Sequence, residues 1–369
     1  MWKNSLYILV LICFGIANAQ ETNLKFLVGT YTNTCKSDGI YVFDLDLNTG
    51  NTSLYEQSSN VVNPSYMSVT ADGKIIYAVN ENGAESTVSS FKYDKASSSI
   101  KLLNKQEAAG SDPCHIINDD KNVVVANYSS GSISVFKKSK TGSLNAASQV
   151  ILHKGKSKNP DRQSASHVHQ VQFSPDNKYV LATDLGTDKI YIYNYNPTSE
   201  QEVLTIKDSV SLKRGAGPRH LTFSPNGKFV YLLQELDGGM IVFNYQDGIL
   251  RKLEETQIVD DDFKGIIGGA ALHFSPDGKY LYATNRGSVN DITIFTVQAD
   301  GRLNYKASVP SGGKGPRDFA IDPTGAFLLV ANQNSNEIQV FRRDIISGML
   351  SPLPRKIQIC SPVHIVFIP

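Results

Sequence analysis

The 369-residue chain has only four cysteines, four methionines and one tryptophan. Cys13 falls in an N-terminal apolar run, which leaves Cys35, Cys114 and Cys360 for the rest of the chain. That odd set excludes a small disulfide-stapled scaffold and leaves at least one free thiol. No two cysteines have the close spacing of a structural zinc site. Charge of one sign is missing too, with 36 Lys and Arg against 35 Asp and Glu. Without a basic block or a basic-aromatic stripe, nucleic acid is a poor partner. The apolar run at the N-terminus covers Leu6 to Ile16, well short of the roughly 20 residues that span a bilayer. Strong helix periodicity is absent, as is the G-x-S-x-G elbow of serine hydrolases.

What the N-terminus does contain is a basic start at Lys3, the apolar run, and the small-x-small triplet Ala17-Asn18-Ala19. Together these predict a secretory signal peptide over residues 1–19, cleaved before Gln20. Cys13 lacks the small residues that precede a lipidated cysteine, so no stable membrane anchor is expected. Removing residues 1–19 takes away Lys3 and leaves basic and acidic groups equal in number. The remaining residues, 20–369, are expected to form one exported domain, periplasmic or secreted.

That domain repeats itself. FSPDGKYLYATN (Phe274 to Asn285) returns as FSPNGKFVYLLQ from Phe223, FSPDNKYVLATD from Phe173, IDPTGAFLLVAN from Ile321 and VTADGKIIYAVN from Val69. A decayed copy, NDDKNVVVAN, starts at Asn118. A period of about 50 residues is that of propeller blades. Each unit reads as four antiparallel strands, and complete units begin near Asn63, Asp112, Ser166, Gly217, Gly268 and Gly315. One further unit is split. Residues 26–57 lack an opening strand, and Ser361 to Pro369 supply it. The prediction is an all-β, seven-bladed β-propeller, closed by the C-terminal strand in the N-terminal blade. Cys35 and Cys360 fall in that blade, which makes a disulfide between them one option.

Repetition lets the chain be compared with itself. The start of the innermost strand and the end of the second share one mouth of the channel, since the two run antiparallel. A column holding Tyr66, His115, His220 and His364 repeats histidine and is read as structural. So is the strand-end column Thr30, Asn80, Asn127, Asp184, Gln234, Asn285 and Asn332, whose amides and carboxylates suit turn backbone. The columns beside them are irregular and charged, and they bring His169, Arg219, Arg286, Arg317, Glu81 and Glu235 towards one mouth. Arginines clamp carboxylate or phosphate and stabilise oxyanions, and His or Glu can take a proton from water. A rim of surface salt bridges would use the same residues.

The segments LVGTYTN, GPRHLTFSPNGKFVYLLQEL, SPDGKYLYATNRG and GPRDFAIDPTGAFLLVANQ resemble the seven-bladed propeller lactonases over residues 24–369. That family comprises cycloisomerase-like 6-phosphogluconolactonases and carboxymuconate lactonizing enzymes. The resemblance implies a hydrolase that opens a sugar or acid lactone, with an anionic substrate expected and no cofactor or metal. Matched motif by motif, it assigns catalysis to His169, Arg219, Glu235 and Arg286; Arg317 and Glu81, which the column comparison brings to the same mouth, and His167 are expected to bind substrate. His167 also stands as a substitute for His169. Either His169 or Glu235 would activate water, the other assisting departure of the ring oxygen. An export signal departs from the cytoplasmic origin of 6-phosphogluconolactone and leaves the particular lactone open. Two rivals are a calcium-dependent gluconolactonase-like propeller and a non-enzymatic binding propeller.

Overall fold

The repeated Ser-Pro-Asp-Gly segment is a turn that spends nearly all its polar groups on itself. In the computed structural model, which describes residues 22–58, 61–260 and 262–369, Ser275 Oγ donates to Asp277 Oδ1 at 2.6 Å and accepts from the Tyr280 amide at 3.0 Å. The Lys279 amide donates to the same carboxylate oxygen at 3.1 Å. Gly278, at φ +69°, occupies the left-handed region that glycine enters without a Cβ penalty. The copies at Ser174 and Ser224 repeat the device with Asp176 and Asn226 as acceptors. In the first of these Asn177 takes the glycine position at φ +54°, as asparagine is able to do. The predicted signal segment, residues 1–19, lies outside the described residues.

The turns link strands into seven antiparallel sheets of four, β1 to β28 in chain order. The inner strands are β4 (Tyr66–Val69), β8 (Pro113–Asn118), β12 (Val168–Phe173), β16 (Pro218–Phe223), β20 (Gly269–Phe274) and β24 (Pro316–Ile321), with β28 (Pro362–Phe367) completing the ring. Seven apolar clusters fill the structure, and each joins two neighbouring blades. No blade therefore has a private core, which is how a repeat protein exceeds the size of one ordinary core. Tyrosines of the second strands add a polar latch across the seams. Tyr77, Tyr231 and Tyr282 are fully buried and donate to the carbonyls of Gly142, Gly301 and Gly348, in the outer turns of the next blade. Among the described residues no helix is long and apolar enough to cross a membrane.

Closure occurs where the split repeat predicts it. Strand β28 pairs antiparallel with β1 (Asn23–Thr30), with Phe26 opposite Phe367 and Gly29 opposite His364. The first blade runs β28-β1-β2-β3, with β2 at Ile40–Asp46 and β3 at Thr52–Ser58. A Cβ at Gly29 would sit 2.2 Å from the Pro64 carbonyl oxygen of the next blade, so only glycine fits that approach. Cys35 and Cys360 form a disulfide across the join, 325 residues apart in sequence and 5.9 Å apart at Cα. Among the described residues Cys114 is the free thiol, and it is buried.

The histidine column packs as a ring plug in the channel. Tyr66 lies 4.1 Å from His115 and 3.8 Å from His364 between centroids, and His220 meets His115 edge-on at 5.8 Å. His364 Nδ1 lies 2.7 Å from Asp318 Oδ2. These contacts give the repeated histidines the structural role expected of them. The strand-end column also meets its expectation: Asn285 Oδ1 accepts from the Gly268 and Gly287 amides, and Asn332 donates to the Ser311 carbonyl.

Reduction of Cys35–Cys360 is expected to lower unfolding stability by about 2–4 kcal/mol. Deleting residues 361–369 should instead abolish cooperative thermal unfolding, because it strips β1 of a partner and breaks two seams. A truncated protein with the melting profile of the full chain would show that closure lies elsewhere.

Candidate active site

The antiparallel geometry of each blade brings two kinds of position to one mouth. The second residue of an inner strand supplies Cys114, His169, Arg219 and Arg317. The residue at or just beyond the end of a second strand supplies Tyr31, Glu81, Tyr128, Glu235 and Arg286. A cavity of about 370 Å³ opens among them. Of the residues predicted for the site, Glu81, His169, Glu235, Arg286 and Arg317 line it. Arg219 and His167 do not. Arg219 is 2% exposed and lies against Glu235, its Nη1 donating to the Ala270 carbonyl. The His167 ring stacks on Tyr128 at 4.5 Å, with Nδ1 3.0 Å from the Tyr128 carbonyl oxygen. The structure thus puts His169 in the cavity and makes His167 a support for Tyr128. A larger cleft of about 740 Å³ lies towards the rim by Glu255, Asp291 and Tyr305. It is lined by no histidine, arginine or lysine among the described residues, whereas the smaller cavity gathers His169 with three arginines.

Glu235 organises one half of the site. Its Oε2 lies 3.0 Å from Arg219 Nε and 3.3 Å from Arg286 Nη2, and its Oε1 accepts from Arg162 Nη2 at 2.6 Å. The Arg219 contact is an ion pair without hydrogen-bond alignment, since that Nε–H has no partner of proper geometry. Burial alone would raise the Glu235 pKa, but Arg286, Arg219 and Arg162 outweigh it and hold the group down to about 2. Glu235 is therefore a fixed carboxylate and a poor proton acceptor. Burial, then the neighbouring Arg286, pushes Arg219 down to about 9, which still leaves it a cation at neutral pH.

Glu81 organises the other half. It accepts from Tyr31 Oη at 2.6 Å and Ser65 Oγ at 2.5 Å, and Arg317 Nη2 lies 3.7 Å away. The Arg317 guanidinium sits 5.0 Å from the centre of the Tyr31 ring, a cation–π geometry. Three guanidiniums (Arg162, Arg286 and Arg317) and three carboxylates (Glu81, Asp112 and Glu235) line the cavity, and Arg219 adds a fourth guanidinium behind Glu235. Among the described residues no three of His, Cys, Asp and Glu gather as a metal-ligand set.

His169 lies at the base of this field. Burial, then repulsion from Arg219, Arg317 and Arg286, lowers its pKa well below the ordinary value, so it is neutral at pH 7. Its ring meets Tyr128 and His220 edge-on at 5.5 Å, and no carboxylate hydrogen-bonds to it. The Cys114 thiol donates to the His169 carbonyl at 3.2 Å. Burial raises the Cys114 pKa far above neutrality, which leaves an inert thiol. A neutral histidine beside guanidiniums can accept a proton while the guanidiniums stabilise negative charge forming nearby.

Column comparison missed Arg162 because it belongs to no blade position. It comes from residues 153–167, between β11 (Leu144–Leu152) and β12, a stretch longer than the other described blade connectors. The available signal was that extra length, with Asn159-Pro160-Asp161-Arg162 inside it.

Comparison with known proteins follows the same outline. The profile of the family "Lactonase, 7-bladed beta-propeller" matches residues 25–367. The 6-phosphogluconolactonase of Bacillus subtilis is 36% identical over 346 residues, covering 92% of this chain and 97% of that protein. A Bacteroides fragilis structure, provisionally titled a 6-phosphogluconolactonase, superposes with a TM-score of 0.91 at 40% identity, over 95% of this chain and 99% of that one. The periplasmic gluconolactonase of Pseudomonas aeruginosa gives 0.90 at 35% identity, over 94% and 99%.

The histidines make stability depend on pH with a definite sign. Burial is the main cause that depresses the pKa values of His115, His169 and His220. Above about pH 6.5 neither the folded nor the unfolded chain protonates them. Below it the unfolded chain takes up protons that the folded channel refuses, so stability falls as pH drops. Melting temperatures should therefore decline from pH 7 to 5, and His220→Asn should flatten that decline. An unchanged slope in the variant would mean that another group is responsible.

Proposed function

The chain belongs to the seven-bladed β-propeller lactonases, and from that premise we propose that it hydrolyses an anionic sugar or acid lactone in the Glu81–Glu235 cavity. The observation that carries this reading is a neutral histidine held among guanidiniums in one cavity of about 370 Å³. Water attacks the lactone carbonyl carbon as His169 accepts its proton, and the carbonyl oxygen becomes an oxyanion facing Arg286. When the tetrahedral centre collapses, the bond to the ring oxygen breaks. His169 returns its proton to that oxygen, giving a hydroxyl and a carboxylic acid, which ionises to the carboxylate and releases its proton to water. Glu235, held down to about 2, does not compete for the proton. It fixes Arg219 and Arg286 instead, so the water-activating role goes to His169. Arg162, Arg286 and Arg317, which line the cavity, offer donors that favour a lactone bearing a phosphate or carboxylate.

We also propose that the protein is exported. The N-terminal signal pattern, the Cys35–Cys360 disulfide and the periplasmic location named for the Pseudomonas aeruginosa relative support that reading, since disulfides persist in oxidising compartments.

The test is acid release in a pH-stat over a panel of sugar and dicarboxylic lactones, corrected for spontaneous opening. His169→Asn should lower kcat by roughly 10²–10⁴-fold. Glu235→Gln should lower it too, and should destabilise the fold by about 3–5 kcal/mol, because Arg219 stays buried without its counter-charge. His115→Asn, in the channel plug, should act on stability and keep kcat near the parent value. The kcat/KM profile should stay flat down to about pH 6.5 and fall only as pH passes through the depressed value of His169, where the base becomes protonated. Failure of the parent protein to accelerate any lactone would favour a binding propeller. Full activity in His169→Asn would move the proton transfer to another group.

A further inference from the structure

Arg162 differs from the other guanidiniums of the site in how it is held and in what it leaves free. Arg219, Arg286 and Arg317 stand on β-strands, whereas Arg162 stands on the connector 153–167. Its side chain is 41% exposed, against 3%, 21% and 16% for the other three. Only its Nη2 is engaged, with Glu235 Oε1 at 2.6 Å and Tyr128 Oη at 3.3 Å. Among the described residues Nε and Nη1 have no hydrogen-bond partner, which leaves unspent donors on a guanidinium that lines the cavity. They point to different edges of the group, and each can make a charge-assisted hydrogen bond to an anionic oxygen.

The connector is nonetheless rigidly placed. Asp184, at the end of β13 (Tyr179–Asp184), accepts Ser166 Oγ at 2.5 Å and the His167 amide at 2.8 Å, and its Oδ2 lies 3.0 Å from His153 Nδ1. One carboxylate therefore ties down both ends of the connector. Most sibling blades place Asn here, and the exchange to Asp falls in the blade that this connector enters. Asp188 holds the middle. Its Oδ2 accepts Ser157 Oγ at 2.5 Å, and its Oδ1 accepts Gln163 Nε2 at 2.8 Å. Gln163, wholly buried beside Arg162, also donates to the Leu185 carbonyl at 2.8 Å. Asn159 Oδ1 accepts the Arg162 amide at 3.1 Å. A surface loop with no task would not spend two buried carboxylates and a buried amide on its geometry.

We propose that the connector is the specificity element of the site: Arg162 binds the anionic group of the substrate through a free donor of its guanidinium, and Asp184 and Asp188 are its positioning residues. The proposal rests on the lactonase reading for its substrate and adds which residue reads the charge. Phosphate and carboxylate share the required chemistry, so the assay compares both with a neutral lactone.

The discriminating quantity is the ratio of kcat/KM for an anionic lactone, phosphorylated or carboxylated, to that for glucono-1,5-lactone. Arg162→Ala should lower the ratio by roughly 10–100-fold, mostly through KM, which is the worth of a charge-assisted hydrogen bond or two. Arg162→Lys should recover part of it by restoring the charge without the fork. Asp188→Asn should move the ratio in the same direction. If that variant folds poorly, Ser157→Ala cuts one strap contact alone and should give a smaller shift of the same sign. A binding assay needs no turnover: the parent protein should bind 6-phosphogluconate more tightly than gluconate, and Arg162→Ala should erase the difference. Equal losses on anionic and neutral lactones, with the ratio intact, would overturn the proposal, as would a parent protein with no preference in either assay. A parent protein that binds selectively but opens no lactone would uphold the anion contact and sink the hydrolytic reading instead.

Discussion

Three guanidiniums converge on one buried carboxylate, Glu235, and the rest of the site depends on that arrangement. Arginines packed together repel, and burying them without a counter-charge costs several kcal/mol each. With both oxygens shared among Arg162, Arg219 and Arg286, Glu235 makes the cluster tolerable and surrenders its own basicity. Burial, and then Arg219, Arg317 and Arg286, keep His169 from taking a proton at rest. One crowded mouth thus sets two protonation states: the glutamate stays a carboxylate that holds positive charge in place, and the histidine stays neutral. Glu81 repeats the compromise more weakly on the other side, where it is shared between Tyr31, Ser65 and Arg317.

A site of this kind needs walls that do not yield to repulsion, and the propeller supplies them. Every seam between blades is an apolar cluster, and the buried tyrosines latch second strands to the turns of the next blade. The Tyr66–His364 stack and the His364–Asp318 contact fill the channel beneath the cavity. Side chains that carry charge are thereby anchored on strands whose neighbours are packed on both faces. Rigid strand ends hold the reactive groups, and the single long connector adds a group from above.

The fold was readable because its repeat is written in local chemistry. The Ser-Pro-Asp-Gly turn satisfies itself, so Ser275, Asp277 and Gly278 look alike wherever that turn occurs, and the split unit betrays the closure. Five of the seven predicted site residues line the cavity for a related reason: blade position fixes where a side chain points, and an irregular column stands out against regular ones. Arg219 shares a column with Arg317 yet sinks beneath Glu235, since depth within the mouth depends on which carboxylate each arginine finds. His167 could not be told from His169 by type, and strand alternation would put both on one face; they part because His167 lies just before β12 and stacks on Tyr128, while His169 sits at the register shift between Val168 and Gln170. Arg162 was invisible to the comparison because a connector has no counterpart in the other blades. Its approach to Glu235, 73 residues away, is a tertiary fact. The disulfide could be entertained but not chosen, as cysteine spacing carries no distance.

The partnership of β1 with β28 has a bearing on how the molecule comes to exist. The first strand of the fold waits for almost the last residues of the chain, so the contact that completes the ring has close to the greatest sequence separation available. No nascent fragment can be a finished toroid, and until residues 362–367 arrive, β1 offers an unpaired edge to any passing strand. Folding must therefore end with a long-range search, the slowest kind of step in a β protein. A ring that closes only at its final strand stays open for as long as that strand is missing.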